Sequence, residues 1–453
     1  MSDTRAVAPQ RRAAYEVLRR VFEHGAWADR AFPAAADRHR LDSRERAQAQ
    51  RLAYGAVQRR GTADHLIQGL ADRPLRRLDP AVLAALRLGL YELAFSDATP
   101  DHAAVDQAVE LAKGGGVRRR LAGAKLVNAV LRRAASSDDL LAGLDDRTPQ
   151  GAAALHSCPE WLARMWWDEL GAEVARSLLA AINEPAETAV RVNTLKVQPQ
   201  ELVDGLLASG ETVERPGSGL LAPPEALVVQ GHLSDGLRSR IAGGELVPQA
   251  RASQAVVEAL DPQPAERVLD LCAAPGIKTS AIAARMRDQG ELVAVERDPG
   301  RANQLRDLCS RLGATCVKVV VGDATEVDLG DGYDRVLVDP PCSDLGTLAS
   351  RPDARWRKSP ELIERLAGVQ GAILNRAVDA LDAGGRLVYS TCTVSRREGE
   401  DRLQELLATG RAVAVDLGRA SPELAHGRDS RFLQIRSDRD HTDGFFIAQL
   451  ERT

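Results

Sequence analysis

Aromatic residues are scarce in this 453-residue chain, and several other features are missing altogether. Phe, Trp and Tyr make up 4% of the residues, and no apolar run reaches the roughly 18 residues that a membrane-spanning helix requires. The amino-terminal stretch lacks the apolar core and the small-residue cleavage site of a signal peptide. These absences argue against a membrane protein and lead us to expect a cytoplasmic location.

The cysteines lack the spacing of a disulfide framework or of a metal centre. None belongs to a CxxC pair, and they are scattered along the chain at Cys158, Cys272, Cys309, Cys316, Cys342 and Cys392. Scattered cysteines in a long chain are typical of a reducing compartment. We therefore expect free thiols and no bound metal.

Charge is distributed unevenly, although the net charge is only −4. Residues 1–135 contain 24 Lys and Arg residues against 15 Asp and Glu residues, a balance of +9. The rest of the chain is therefore acidic. A basic amino-terminal region favours contact with a polyanion such as nucleic acid, although a solvated basic surface explains the charge equally well.

The hydrophobic patterns divide the chain into three parts. Apolar residues at helical spacing run through residues 1–140 without a strand pattern, which predicts an all-α bundle. Residues 141–246 combine a connector, a Trp-containing helix and a strand pattern at 189–196, which predicts a small α+β domain. In residues 247–453 short apolar runs alternate with helical stretches, as in a doubly wound α/β sheet.

Local signals predict some of the helix boundaries in the first part. Asp42 with Glu45 predicts a capping box at the start of a helix. Asp79 followed by Pro80 predicts a second helix start, and the glycine triplet at 114–116 predicts a helix end.

In the α/β part, acidic residues follow successive strand patterns, at Asp270, Glu296, Asp323 and Asp339. Because the carboxyl ends of parallel strands meet at one edge of a sheet, we expect these side chains to lie close together. The loop after the first strand contains a single glycine, Gly276, instead of the G-x-G-x-x-G pattern that binds a pyrophosphate. An adenosine-sized ligand without a phosphate clamp fits this pattern, and S-adenosylmethionine is such a ligand.

Two of the strand patterns also deliver a cysteine. Cys342 follows Asp339-Pro-Pro, and Cys392 follows Ser390-Thr391. The fourth and fifth strands should be neighbours, which would place the two thiols on opposite sides of one cleft. A thiolate is a soft nucleophile suited to covalent catalysis, but this chemistry alone allows either cysteine to attack.

Three segments carry a resemblance to a known family. DLCAAPGIKT (270–279), DPPCSDLGT (339–347) and YSTCTVSRREGE (389–400) resemble the RNA cytosine-C5 methyltransferases in composition and order. Residues 101–113 and 128–132 are similar to the NusB domain. This combination is similar to the RsmB/Sun family of bacterial 16S rRNA enzymes, and it departs from the family pattern at Ile277, where a second glycine is usual.

The resemblance implies a Rossmann-like domain that methylates carbon 5 of a cytosine in 16S rRNA, with cytosine 967 as the family target. It implies that Cys392 attacks carbon 6 of the base and that Cys342 assists release of the product. Asp339 and Lys278 are then expected at the target base. The S-adenosylmethionine site is expected to comprise Asp270, Cys272, Ala273, Ala274, Pro275, Gly276, Ile277, Lys278, Glu296, Arg301, Asp323 and Asp339.

A target base must be flipped out of its stack for a thiol to reach it, so the enzyme has to hold the surrounding RNA. Basic residues are predicted to do this. A cluster around Trp356, which could stack on a base or simply pack, is expected to line the channel. The cluster comprises Arg351, Arg355, Arg357 and Lys358. The amino-terminal arginines 118–120 and 132–133 are expected to contact phosphates.

Two alternatives stay open at this stage. The same chemistry could act on tRNA, or the chain could be a non-catalytic NusB-like factor for ribosome assembly or antitermination. The presence of all four expected catalytic residues argues against the second alternative. We expect a monomer that binds a single-stranded or looped cytosine of 16S rRNA.

Overall fold

A computed structural model describes residues 7–71, 73–96, 99–113, 117–137, 139–231 and 233–453, except for the side chains of 117–120. The chain divides into two compact units. The first comprises Met1–Asn183 together with Arg351–Arg357, and the second comprises Glu184–Ser350 together with Lys358–Thr453. The domain boundaries at residues 140 and 246 stay predictions.

Within its described residues, the first unit contains helices and no strand. The capping box is confirmed, because the Asp42 carboxylate accepts from Glu45 N at 2.8 Å and the Glu45 carboxylate accepts from Asp42 N at 3.2 Å. Asp79 accepts from Ala81 N at 2.9 Å, which confirms the second predicted start. The predicted end at 114–116 lies outside the described residues. The helices are α1 (Pro9–His24), α2 (Ala28–Arg38), α3 (Ser43–Gln58), α4 (Arg60–Leu70), α5 (Pro80–Phe95), α6 (Asp101–Leu111), α7 (Val117–Ala135), α8 (Pro149–His156), α9 (Glu160–Leu170) and α10 (Ala172–Ala181).

The core of this unit is aliphatic, which is why so few aromatic residues suffice. Leu18 of α1, Leu86 and Leu90 of α5 and Leu131 of α7 are all at most 1% exposed. Each fully buried leucine contributes roughly 1.5–3 kcal/mol. Alanines such as Ala13 and Ala53 fill the spaces between them and let the helices approach closely.

The second unit begins with a small antiparallel sheet in the order β2-β3-β1-β4. The strand predicted at 189–196 is confirmed for residues 189–192, which lie in β1, where Ala189 faces Val228 of β3, whereas residues 194–196 form a turn. The apolar side chains of this sheet pack with Leu202 and Leu206 of the helix Pro199–Ala208 and with Leu237 of the helix Asp235–Gly243. Its elements are β1 (Thr188–Val192), α11 (Pro199–Ala208), β2 (Val213–Glu214), β3 (Ala226–Val229), α12 (Asp235–Gly243) and β4 (Leu246–Pro248).

A larger mixed sheet follows in the order β10-β12-β9-β8-β5-β6-β7, and β11 pairs with β12. Its β9-β8-β5-β6-β7 portion is parallel, as predicted, while β10, β11 and β12 add antiparallel pairs. The strands are β5 (Arg267–Leu271), β6 (Glu291–Glu296), β7 (Val317–Val321), β8 (Tyr333–Val338), β9 (Leu381–Thr391), β10 (Ala412–Val415), β11 (Leu433–Ile435) and β12 (Phe445–Arg452). The helices are α13 (Arg251–Leu260), α14 (Ile277–Arg285), α15 (Pro299–Leu312), α16 (Pro360–Ala380), α17 (Glu400–Leu407), α18 (Leu417–Ala420) and α19 (Ser437–Asp440).

Among the residues that the structure describes, no helix combines the length and the apolarity that crossing a membrane takes.

Candidate active site

The site lies at the carboxyl ends of the central parallel strands. Strand β8 pairs with β5 on one side and with β9 on the other, so the predicted contact between the fourth and fifth strands is confirmed. Asp339 directly follows β8, and Cys392 directly follows β9. The register sets Val338 beside Tyr389, so the polar ends of both strands emerge together.

Asp339 is held from two sides. Lys278 Nζ, in the first turn of α14, donates to Asp339 Oδ2 at 2.7 Å. Ser390 Oγ, from the end of β9, donates to Asp339 Oδ1 at 3.0 Å. Burial lowers the pKa of Lys278, but the charge of Asp339, its hydrogen bond to Lys278 and the charges of Cys392 and Asp270 together outweigh burial, so the pKa is raised. Lys278 is therefore a stable cation that fixes the carboxylate.

The two thiols lie next to each other rather than on opposite sides of a cleft. Cys342 Sγ and Cys392 Sγ are 3.2 Å apart. The chain turns back after Cys342, and Gly346 N donates to Cys392 O at 2.9 Å, which draws the two loops together. The predicted arrangement across a cleft is therefore wrong, because it considered only the strand ends and not the turn that follows β8.

A close approach of two glycines explains why this turn can form. A Cβ atom on Gly346 would lie 1.9 Å from Gly444 O, so any side chain there would collide with the backbone. Gly444 N donates to Gly346 O at 2.8 Å. Gly346 and Gly444, which directly precedes β12, thus pack the thiol loop against the start of that strand.

A carboxylate that the sequence analysis missed contacts both thiols. Asp344 Oδ1 lies 3.1 Å from Cys392 Sγ and 3.7 Å from Cys342 Sγ. Lys358 Nζ donates to Asp344 Oδ2 at 2.8 Å. The donor atoms of Asp344 and the two cysteines lie within 4.8 Å of one another, and we assign no metal ion to this group.

Both thiols are hard to ionise in this setting. The contact with Cys342, burial and the charges of Asp344 and Asp339 raise the pKa of Cys392 well above its ordinary value. The contact with Cys392 lowers the pKa of Cys342, but burial and the charges of Asp344 and Glu398 outweigh it and raise the pKa. At neutral pH both residues are thiols until a base acts on one of them.

A second unforeseen carboxylate, Glu398, fixes the loop that carries Cys342. Glu398 is fully buried, and its Oε1 accepts from Ser343 N at 2.8 Å and from Gln370 Nε2 at 3.0 Å. Its Oε2 accepts from Ser343 Oγ, while Tyr389 OH donates to its main-chain oxygen at 2.6 Å. Burial raises the pKa of Glu398, against the hydrogen bonds from Ser343 and Gln370.

The loop after β5 is shaped by its backbone. Cys272 adopts a left-handed conformation with φ of 66°, and burial followed by the charges of neighbouring carboxylates raises its thiol pKa to about 12. Gly276 has φ of 104°, and a Cβ there would meet Leu305 Cδ1 at 2.5 Å. Ile277 is the first residue of α14, where an ordinary helical conformation accommodates its branched side chain.

The predicted cofactor residues line the ends of β5, β6 and β7. Burial raises the pKa of Asp270 to about 7, although Thr279 Oγ1 donates to it at 2.6 Å. Glu296 is buried and accepts from Asp298 N at 2.9 Å. Arg301 spans the loop by donating to Ala274 O at 2.6 Å, and its guanidinium lies 3.7 Å from the Glu296 carboxylate.

Asp323 completes this row at the end of β7. Its Oδ1 accepts from Thr325 N at 2.9 Å and from Thr325 Oγ1 at 2.7 Å. These hydrogen bonds lower the pKa of Asp323, so it is an ionised acceptor. Glu296 and Asp323 together offer carboxylate oxygens, which suit the hydroxyl and amino donors of an adenosine group.

The predicted RNA channel around Trp356 is wrong for Arg355, which is fully buried and donates to Ser157 O at 3.0 Å and to Ile182 O at 2.8 Å. Trp356 is half-buried, and its Nε1 donates to Val57 O at 3.0 Å. Both side chains thus satisfy main-chain oxygens at helix ends. Stacking of Trp356 on a base stays a prediction.

The other predicted RNA-binding residues have different surroundings. Arg357 donates to Gly25 O at 2.9 Å within the first unit, and Arg351 is exposed. Arg132 and Arg133 of α7 are also exposed. The side chains of residues 118–120 lie outside the described residues, so phosphate contact by the arginines of α7 stays a prediction.

Family models match three consecutive parts of the chain. Residues 8–136 match the NusB family, residues 158–231 match the RsmF/B-like ferredoxin-like domain, and residues 257–451 match the 16S rRNA methyltransferase RsmB/F model. The first match falls on the helical unit. The other two include the small sheet and the larger sheet with its two thiols.

Curated proteins and solved structures agree with these matches. The chain is 33% identical over 450 residues to a probable ribosomal RNA small subunit methyltransferase B of Synechocystis, covering 98% of this chain and 99% of that protein. A protein of the same description from Bacillus subtilis is 31% identical, with coverage of 97% and 98%.

Among solved structures, the crystal structure of PH0851 superposes with a TM-score of 0.81 and 25% identity, covering 99% of this chain and 100% of that one. A methyltransferase homologue from Pyrococcus horikoshii has a TM-score of 0.59 and 26% identity, covering 68% of this chain and 99% of its own. Matches of this extent in sequence and fold leave one assignment. The chain belongs to the RsmB/F family of 16S rRNA methyltransferases.

Proposed function

We propose that this chain methylates carbon 5 of a cytosine in 16S rRNA through a covalent bond between Cys392 and carbon 6 of the base. The proposed target is cytosine 967, which the family resemblance implies. The relatives named as small-subunit rRNA methyltransferases support the choice of rRNA over tRNA.

The observation that carries the proposal is the pair of thiols beside a fixed carboxylate. Cys342 and Cys392 are 3.2 Å apart, and Asp339 is held by Lys278 and Ser390 at the same strand ends. Carbon 5 of cytosine is a weak nucleophile, so addition of a thiolate to carbon 6 is needed to activate it. A second thiol next to the first is then in position to help release the product.

Asp339 is proposed to bind the polar edge of the cytosine. Asp339 Oδ2 accepts a hydrogen bond from Lys278 Nζ at 2.7 Å, and Oδ1 accepts one from Ser390 Oγ at 3.0 Å. The carboxylate therefore cannot rotate freely. A fixed hydrogen-bonding group at N3 would stabilise the charge that develops on the ring during thiol addition. Lys278 is then a positioning residue for Asp339.

The residues at the ends of β5, β6 and β7 fit S-adenosylmethionine, which supplies an electrophilic methyl group when bound. Glu296 offers carboxylate oxygens to a ribose diol, and Asp323 is an ionised acceptor for an adenine amino group. The single glycine of the loop, Gly276, is consistent with a ligand that lacks a pyrophosphate. Cys272 is proposed to contribute its backbone, because its thiol is not ionised at neutral pH.

The test is methyl transfer from labelled S-adenosylmethionine to small-subunit rRNA that lacks modifications, followed by mapping of the labelled base. We expect the label on carbon 5 of a single cytosine. Unmodified tRNA serves as the competing substrate. Label on tRNA alone, label on an adenine, or no transfer to either RNA would contradict the proposal.

Variants of the thiols provide the matched controls. Cys392→Ala should abolish transfer. Cys309→Ala should leave it unchanged, because Cys309 is buried in the core and far in sequence from both thiol loops. Equal losses in the two variants would mean that the effect is one of folding.

A further inference from the structure

We propose that Asp344 is a further catalytic residue, which takes the proton from the Cys392 thiol before the sulfur bonds to carbon 6. The inference rests on the proposed function, because it concerns the activation of the same nucleophile. It adds a base to a site for which the sequence motifs indicate Asp339, Lys278 and the two thiols only.

The geometry places Asp344 at the reacting atom. Asp344 Oδ1 is 3.1 Å from Cys392 Sγ, whereas its distance to Cys342 Sγ is 3.7 Å. The first distance is within the range of a thiol hydrogen bond to a carboxylate. The Asp344 carboxylate therefore lies closer to Cys392, the proposed nucleophile, than to Cys342.

Lys358 orients this carboxylate. Its ammonium group donates to Asp344 Oδ2 at 2.8 Å, and the Lys358 side chain is only 9% exposed. With Oδ2 engaged, Oδ1 is directed at the thiols. A charge-assisted contact of this kind is among the stronger hydrogen bonds in proteins, so Lys358 is a positioning residue for the base.

Cys392 requires such a base. Contact with Cys342, burial and neighbouring negative charges all favour its neutral form, as its raised pKa indicates. Simple ionisation to bulk water would then leave little thiolate at neutral pH. Transfer of the proton to an adjacent carboxylate keeps the net charge of the cluster constant and avoids that penalty.

The backbone of Asp344 supports a functional role. Its φ of 56° and ψ of 23° lie in the left-handed region, which glycine adopts without strain. A side chain strains the backbone there, although Asp tolerates this region better than most residues do. A carboxylate at a position that favours glycine conformationally is consistent with a selected chemical task.

The proposed step balances as follows. The S–H bond of Cys392 breaks, and an O–H bond forms at Asp344 Oδ1. The sulfur electron pair makes the bond to carbon 6, and the electron pair of the carbon 5–carbon 6 double bond moves into the ring. Once carbon 5 carries the transferred methyl group, its C–H bond breaks and that proton passes to solvent, while the C–H electron pair restores the carbon 5–carbon 6 double bond. The carbon–sulfur bond breaks with its electron pair on sulfur, and Asp344 returns its proton to the sulfur.

Several titratable groups surround this pair and enter its pH dependence. The charges that act on Cys392, Cys342 and Lys278 come from the loops after β8 and β9, from Asp270 on β5, from the start of α14 and from Glu398. The facing groups are Cys342, Asp339, Lys278, Lys358 and Glu398. Asp344→Asn changes none of these residues, so a comparison with the wild type isolates Asp344.

The experiment measures single-turnover methyl transfer to an unmodified small-subunit rRNA fragment between pH 6 and pH 9.5. Asp344→Asn and Asp344→Gly are compared with the wild type and with Asp382→Asn, a control at an exposed residue of the same unit. We expect both Asp344 variants to be slowed roughly 100-fold at pH 7, the usual effect of losing a general base. The loss should shrink about tenfold per pH unit as hydroxide supplies the thiolate.

Thermal denaturation separates this effect from misfolding. Asp344→Gly relieves the left-handed backbone but removes the carboxylate to which the nearly buried Lys358 donates, so we expect a modest loss of stability and a variant that is still folded at the assay temperature. Variants with the wild-type rate at pH 7, or with a loss that is the same at every pH, would overturn the role of Asp344 alone. A wild-type enzyme that leaves carbon 5 of cytosine unmodified would instead overturn the proposed function on which this role depends.

Discussion

Replacement of Glu398 by alanine should loosen the loop that carries Cys342 and slow the enzyme without unfolding it. Glu398 is fully buried and binds Ser343 N, Ser343 Oγ and Gln370 Nε2. Gln370 also donates to Pro341 O at 3.0 Å, and Ser343 Oγ also contacts Thr393 Oγ1 at 3.0 Å. Only the Ser343 main-chain N–H therefore loses its single acceptor.

The expected stability change follows from this inventory. An orphaned buried N–H costs about 1–3 kcal/mol, and each of the two other lost hydrogen bonds costs about 1 kcal/mol. Against this, the raised pKa of Glu398 indicates that its buried charge is itself unfavourable. We expect Glu398→Ala to lower the free energy of unfolding by about 2–4 kcal/mol. Glu398→Gln, which keeps an acceptor for Ser343 N, should change it by less than about 1 kcal/mol.

The effect on catalysis should be larger than the effect on folding. A displacement of about 1 Å in a reacting group can cost on the order of 100-fold in rate, so kcat of Glu398→Ala should fall about 10- to 100-fold. Thermal denaturation and steady-state methylation measure the two effects, with Glu201→Ala, at an exposed site on α11, as the control. An alanine variant with unchanged stability and unchanged kcat would refute the role of Glu398 in holding the loop.

Two further predictions concern buried groups. The pKa of Asp270 is about 7 in the fold and about 3.9 in an unfolded chain, so its contribution to stability declines by about 3 kcal/mol as pH rises from 4 to 7. Unfolding measured across this range should therefore show Asp270→Asn gaining about that amount relative to the wild type, and parallel pH profiles would contradict the burial argument. Arg355→Ala removes hydrogen bonds to Ser157 O, Asn183 Oδ1 and Ile182 O, of which Ile182 O keeps a second donor in Gln58 Nε2, and should lower the free energy of unfolding by about 2–4 kcal/mol. Exposed Arg351→Ala should change it by less than about 0.5 kcal/mol, and equal denaturation midpoints for the two arginine variants would be the opposite result.

The sequence was informative wherever a side chain directly follows a strand. Asp339 and Cys392 emerge together because parallel strands share one edge, and the strand patterns alone place them there. The capping box of Asp42 and Glu45 was equally accessible, since it depends on residues three apart. Local rules of this kind operate over a few residues and require no knowledge of tertiary packing.

Side chains that follow an irregular turn could not be predicted in the same way. Asp344 contacts the thiols from a left-handed backbone conformation, which its residue type alone does not predict. Lys358 is 14 residues further along the chain, and its contact with Asp344 depends on the path of the intervening segment. In the sequence, Glu398 is one of several charged residues in a polar stretch. Its burial, and therefore its hydrogen-bond partners, depend on the tertiary fold.

The basic segment around Trp356 shows the opposite failure. A run of arginines beside an aromatic residue is typical of a surface that binds nucleic acid, and the sequence therefore predicts an RNA channel here. Arg355 is instead buried and donates to the main-chain oxygens of Ser157 and Ile182. These are tertiary contacts, which the local sequence pattern does not predict. Burial lowers the pKa of Arg355 to about 9, a cost that three hydrogen bonds offset.

The most direct test of the account is the detection of a covalent protein–RNA adduct in single-thiol variants. Each variant is incubated with unmodified small-subunit rRNA and S-adenosylmethionine, and the denatured products are resolved by electrophoresis and mass spectrometry. The account predicts that Cys342→Ala accumulates an adduct through Cys392, because addition continues while release is impaired, and that Cys392→Ala forms none. An adduct through Cys342 in the Cys392→Ala variant, with none in Cys342→Ala, would reverse the assignment of the nucleophile.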